Sequence, residues 1–181
     1  MPKAKEKSLT HEAFLASFLV AADVPDGMAS LRAADEAPLN EGHRPDALQG
    51  VVKDFAAATW VDPHGNEPLN RIEEMRALFA NEDDARRAID PTARWFMTRY
   101  EDLADAPPIG QDTRARVNID HRPTPAVLWA YGYVFRVGRV VAALTVARGT
   151  RAPVGSLTRE AADAIAARAL ARIEAALESE R

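Results

Sequence analysis

Ala126-Val-Leu-Trp-Ala-Tyr-Gly-Tyr-Val-Phe-Arg-Val-Gly-Arg-Val-Val-Ala-Ala-Leu-Thr-Val-Ala147 is the stretch on which the reading of the fold turns. Val127, Trp129, Tyr131, Tyr133, Phe135 and Val137 recur at every second residue, the period of a strand with one face buried. Val137-Gly-Arg-Val140 then supplies a two-residue turn, and Gly138 at its first central position is what a type II′ hairpin needs. Pairing outward from that turn places Phe135 opposite Ala142 and Tyr133 opposite Leu144, large against small. A hairpin commits the sheet to antiparallel pairing.

Working outward, Thr158 to Glu178 carries Ile165, Ala169, Ile173 and Leu177 on one stripe, which predicts a long amphipathic helix after the hairpin. On the other side, Asn81 followed by Glu82, Asp83 and Asp84 reads as an N-cap with acids in the first turn, opening a helix over 82–89. The apolar spacing in Arg71 to Ala80 fits either a helix or a strand, and a cap at Asn81 favours the strand. Pro91 is well placed to open a further helical stretch bearing Trp95, Phe96 and Tyr100. Val51, Val52, Phe55, Thr59, Trp60 and Val61 make Gly50 to Asp62 a strand. A turn is expected at Pro63–Asn66, a short strand near Met28–Ala33 and a loop through His43–Pro45. Thr10 to Ala22 is helical in pattern, with Phe14, Leu15, Phe18 and Leu19 on one face. Asp23-Val-Pro-Asp-Gly27 ends it.

These elements predict an α+β fold: an antiparallel sheet with the N- and C-terminal helices packed on one face. The 181 residues suit one domain over 9–181, behind a flexible tail over 1–8 that carries Lys3, Lys5 and Lys7. A hydrophobic fraction of 47% supports a sizeable core and argues against a disordered chain. The net charge of -4 offers no basic field for nucleic acid. No apolar run approaches the length of a membrane span. With no cysteine the chain has no disulfide, thiolate nucleophile or cysteine-held metal.

Signs of catalysis are sparse. His11, His43, His64 and His121 lack metal-ligand spacing, and the sequence contains no nucleophile elbow, phosphate loop or dinucleotide fingerprint. Neither a metal nor a cofactor is expected, and no catalytic residue stands out. Asp120-His121-Arg122 reads as a salt-bridged turn by default, and Glu82-Asp83-Asp84 as helix-end charge without calcium-loop spacing. The aromatic run is the better lead. Trp129, Tyr131 and Tyr133 offer large contact area with hydroxyls to orient a ligand, and Trp95 is the candidate to close a pocket from the helix side. The same residues would equally serve as plain core.

Three stretches resemble a family of bacterial cell-envelope domains that includes lipoproteins and the extracellular sensor domains of membrane kinases, with a PsbP-like α+β fold. They are Ala21-Ala-Asp-Val-Pro-Asp-Gly27, the segment ending Phe79-Ala-Asn-Glu-Asp-Asp-Ala85, and the run from Ile109-Gly-Gln-Asp112 through Tyr133-Val-Phe-Arg-Val-Gly-Arg-Val-Val141. The sequence departs from that family in lacking a lipobox cysteine and the disulfide cysteines of some members. The resemblance implies a non-catalytic binding or sensor-like module, exported with its signal absent from this sequence, whose cleft takes an apolar small molecule or lipid. The alternative is a structural or assembly-partner domain without a pocket, cytoplasmic if no signal precedes it.

Overall fold

A computed structural model describes residues 9–34, 52–62, 70–119, 129–149 and 157–180. Among them, seven strands form one antiparallel sheet in the order β1-β2-β3-β7-β6-β5-β4. These are β1 (Ala29–Arg32), β2 (Val52–Val61), β3 (Asn70–Phe79), β4 (Glu101–Asp102), β5 (Gln111–Ile119), β6 (Trp129–Val137) and β7 (Val140–Arg148). Helices α1 (His11–Ala16) and α3 (Arg159–Ser179) cover one face, and α2 (Glu82–Phe96) covers the other. The α+β architecture read from the hairpin is the one observed. The loop expected through His43–Pro45, the turn at Pro63–Asn66 and the Asp120–Arg122 cluster lie outside the described residues.

The β6–β7 hairpin has the expected register, with Phe135 opposite Ala142 and Tyr133 opposite Leu144. Gly138 holds φ at +56°, in the left-handed region where a side chain would be strained. Period two then sorts the side chains of the hairpin into two cores. Tyr133, Phe135, Ala142, Leu144 and Val146 meet Phe14 of α1 and Ile165, Ala169 and Ile173 of α3. Val134, Val141 and Ala143 meet Ala85, Ala88, Ile89 and Ala93 of α2. Gly132 sits where a Cβ would come within 2.3 Å of the Met97 sulfur, so only glycine lets the end of α2 lie this close to β6.

Caps behave as their residue types dictate. Thr10, Asn81 and Thr158 each accept a backbone N–H in the first turn of α1, α2 and α3. Two expectations need correction. The N-terminal helix stops at Ala16 rather than Ala22, because side chains capture the amides it would need: Glu74 accepts from the Leu19 N–H at 2.9 Å and Asp23 from the Val20 N–H at 2.9 Å. The chain resumes as a single 3₁₀ turn at Ala21–Asp23. The middle helix is one helix, not two. It runs through Pro91 because Ala88, Ile89, Thr92 and Ala93 keep their buried stripe in phase across it, while Tyr100 falls beyond its end. No expectation named β5, although Ala115, Val117 and Ile119 alternate there with Arg114, Arg116 and Asn118 at the period of a strand.

Candidate functional site

The four aromatics singled out from the sequence do not meet in one place. Trp129 is 41% exposed at the start of β6, and with half-buried Tyr131 it borders a groove of about 340 Å³ against Leu157, Thr158 and Arg159 at the head of α3. Tyr133, on the same strand face, is fully buried under α3 and donates its hydroxyl proton to Asp163 at 2.6 Å. Burial, reinforced by that carboxylate, holds its pKa far above the ordinary tyrosine value. Trp95 lies on α2, on the opposite side of the sheet, 42% exposed and tilted against Phe96 at 5.9 Å. The structure therefore joins Trp129 with Tyr131, sets Tyr133 in the core and leaves Trp95 apart.

A larger and more apolar opening lies elsewhere on the α1–α3 face. Leu15, Phe18 and Leu19, where the chain leaves α1, stand over Ala58 and Trp60 of β2 and Ala34 beyond β1, enclosing about 420 Å³. Small side chains make this space. Ala56 and Ala58 occupy the face positions of β2 next to Trp60, so the strand carries bulk only at one end of the recess. The Trp60 indole N–H is buried without an acceptor among the described residues. The sequence was read as a strand here, with no site on it. The signal was present, because alternate alanines leading to a tryptophan leave a hollow under any apolar cover, but the cover comes from residues about forty positions away.

Beside the recess runs a buried ion pair. Glu74, opposite Ala58 in the β2–β3 ladder, receives Nη2 of Arg76 at 3.0 Å, and both side chains are essentially inaccessible. The Arg76 guanidinium lies 4.6 Å from the ring centre of Phe18, a recess wall. Its Nε and Nη1 have no partner among the described residues. Burial raises the Glu74 pKa and lowers that of Arg76, and each is partly held back by the other's charge. Arg172 on α3 reaches across to Asp23 at 2.8 Å, so the 3₁₀ turn is pinned to the same face.

Of the four histidines, His11 is exposed with its Nδ1 against Asp54, and the other three lie outside the described residues. Among the described residues, no helix is long and apolar enough to cross a membrane.

No protein-family model matches the chain, and no curated protein matches its sequence. Its structure is similar to the crystal structure of the extracellular domain of PknH from Mycobacterium tuberculosis. The TM-score is 0.64 at 14% identity, covering 93% of this chain and 99% of that one. At that identity the likeness is one of fold. The chain has the α+β fold of that extracellular domain.

Proposed function

We propose that this chain is a non-catalytic, sensor-like module of the bacterial cell envelope, exported, that binds an apolar small molecule or lipid. The observation that carries the reading is the recess under Leu15, Phe18 and Leu19. Its walls are mostly apolar, with Ser30 and Arg32 on the β1 side, its volume of about 420 Å³ suits a small ligand, and it is set in a fold shared with an extracellular domain of a kinase. Kinship with envelope lipoproteins and with PsbP-like folds belongs to the same reading. Binding there would act on the chain leaving α1, which is also where Asp23 and Arg172 tie that chain to α3. A ligand signal thus has a path to the longest helix.

A second reading places the ligand against Trp129 and Tyr131, because an indole 41% exposed beside a groove is a contact surface in search of a partner. Tyr133 would then support the groove through α3, and Trp95 would contribute to neither opening. Titration with Nile red, an uncharged apolar dye, separates these accounts. Saturable binding that Ala58→Leu weakens at least tenfold, with an unchanged melting temperature, supports the recess. Loss in Trp129→Ala instead assigns the ligand to the groove. No saturable response in the wild-type protein rejects both and leaves the assembly-partner reading.

A further inference from the structure

Among the described walls of the recess, the hydrophilic side chains stand together on β1. Ser30 lies across the ladder from Trp60, and Arg32 lies across from Thr59. The other described walls are aliphatic or aromatic, and none carries a carboxylate. The recess is thus an apolar hollow with a hydroxyl and one positive charge on a single side.

The local register shows how Arg32 comes to be there. The β1–β2 pairing slips by one residue between Ser30 and Arg32, so β1 spends two residues against Thr59. Leu31, at the slip, is 63% exposed, whereas Arg32 is half-buried. Burial preference alone demands the reverse, a leucine beside an apolar hollow and an arginine in water. Bulges re-aim side chains, and this one gives the recess a cation at the expense of a leucine.

Two nearby acids are engaged with other cations, Asp23 with Arg172 and Glu74 with Arg76, so neither is a lone negative charge opposing an anion. Arg32 has an interaction of its own within the chain. A guanidinium carries five N–H donors, so it can keep that interaction and take a ligand oxygen as well. Its half-burial also reduces the screening that makes exposed ion pairs weak.

We infer that the ligand of the recess is a single-chain amphiphile with an anionic head, a carboxylate or a phosphate ester. Its chain lies against Leu15, Phe18, Leu19 and Ala58, and its head meets Arg32 and the Ser30 hydroxyl on the β1 side. This rests on the recess being the binding site proposed above. An apolar hollow without a cation prefers the neutral ester of an acid to the acid's anion, because the carboxylate gives up hydration on entering. The order of affinities therefore reports on Arg32 directly.

Displacement of Nile red from the full chain ranks four probes that differ at the head: decanoate, decyl phosphate, methyl decanoate and decyltrimethylammonium. At least one anion should bind about fivefold or more tightly than methyl decanoate, with the cation weakest of the four. The tighter anion identifies the head group. Added salt should narrow its lead over the ester. These measurements need only the wild-type protein, so they decide the point even where a variant fails to fold. Arg32→Gln, at an unchanged melting temperature, should put methyl decanoate ahead, and Arg32→Lys should keep the anion ahead. Ala58→Leu should weaken the anion at least tenfold. Methyl decanoate binding as tightly as both anions, or an anion lead that survives Arg32→Gln, overturns the inference while leaving the apolar site intact. An anion whose binding Ala58→Leu leaves untouched is held outside the recess, which overturns it too. Failure of Nile red itself to bind removes the proposed function, and this inference with it.

Discussion

The two faces of the sheet each bury an arginine, and they use it in opposite ways. On the α2 face, Arg136 is fully engaged: Nε donates to Asp112 at 2.9 Å, and Nη1 donates to the Gly138 carbonyl at 2.9 Å and to Glu82 at 3.4 Å. A bulge in β5 between Gln111 and Arg114, with Asp112 at φ +55°, aims that carboxylate. Its acidic partners are 38% and 49% exposed, so water shares the load. On the α1–α3 face, Arg76 meets one carboxylate, itself inaccessible to water, and its Nε and Nη1 have no partner among the described residues. The first arginine closes a corner of the fold, locking the hairpin turn to the head of α2. The second holds a single buried carboxylate, Glu74, beneath the ring of Phe18. Burial alone does not mark an arginine as structural or functional, and the account of its protons does.

The sharpest break in this comparison comes from the same substitution at both sites. Arg76→Met leaves Glu74 as an uncompensated buried carboxylate and is expected to cost about 3–5 kcal/mol at neutral pH. Arg136→Met leaves partners that water can solvate, for about 1–2 kcal/mol. The pH dependence sharpens the contrast. Burial raises the folded-state pKa of Glu74 above its ordinary 4.5. Its contribution to stability is therefore present below that unfolded value and is lost as pH rises through the folded one. The cost of Arg76→Met should shrink in acid, whereas no such relief is expected for Arg136→Met. Urea denaturation of both variants over a pH series reads this out. Equal costs with equal pH slopes would erase the distinction between the faces.

A smaller effect compares tyrosines. Burial lifts Tyr100, beside α2, from its ordinary 10.0 to about 12, and lifts Tyr133, under α3, further still. In both cases the folded state favours the protonated form. The stability this provides is whole below pH 10 and is lost as pH climbs through the folded-state values. Tyr133→Phe should cost about 1 kcal/mol at neutral pH through the lost bond to Asp163, and should flatten the alkaline fall. Tyr100→Phe should flatten it less. An alkaline limb unchanged by Tyr133→Phe would mean that the hydroxyl is not held as the structure holds it.

What the sequence made legible follows the reach of the interactions. The hairpin, the cap at Asn81 and α3 are set by neighbours within a few residues, and each was readable from Gly138, Asn81 or the stripe through Ile165 and Ile173. The early end of α1 was not, because the acceptor that takes the Leu19 N–H belongs to Glu74, 55 positions away. β5 was readable and went unread: Ala115, Val117 and Ile119 alternate with Arg114, Arg116 and Asn118, though the partners of its arginines, Asp90 and Asp102, come from other elements. The site was legible only in part. Period two says that Tyr131 and Tyr133 share a face, but not where along the strand α3 stops covering it. The recess depends on three segments meeting over two alanines, and no local pattern announces that.

The central claim is that ligand binding belongs to the Trp60 recess, and the chain's three tryptophans make it directly measurable. Trp60, Trp95 and Trp129 give three indole N–H resonances in a ¹⁵N-labelled sample, one at the recess, one on α2 and one at the α3 groove. Titration with methyl decanoate should move the Trp60 indole signal along a saturable curve and leave those of Trp95 and Trp129 in place. A saturable shift at Trp129 with Trp60 unmoved, or no shift at any of the three, would contradict it.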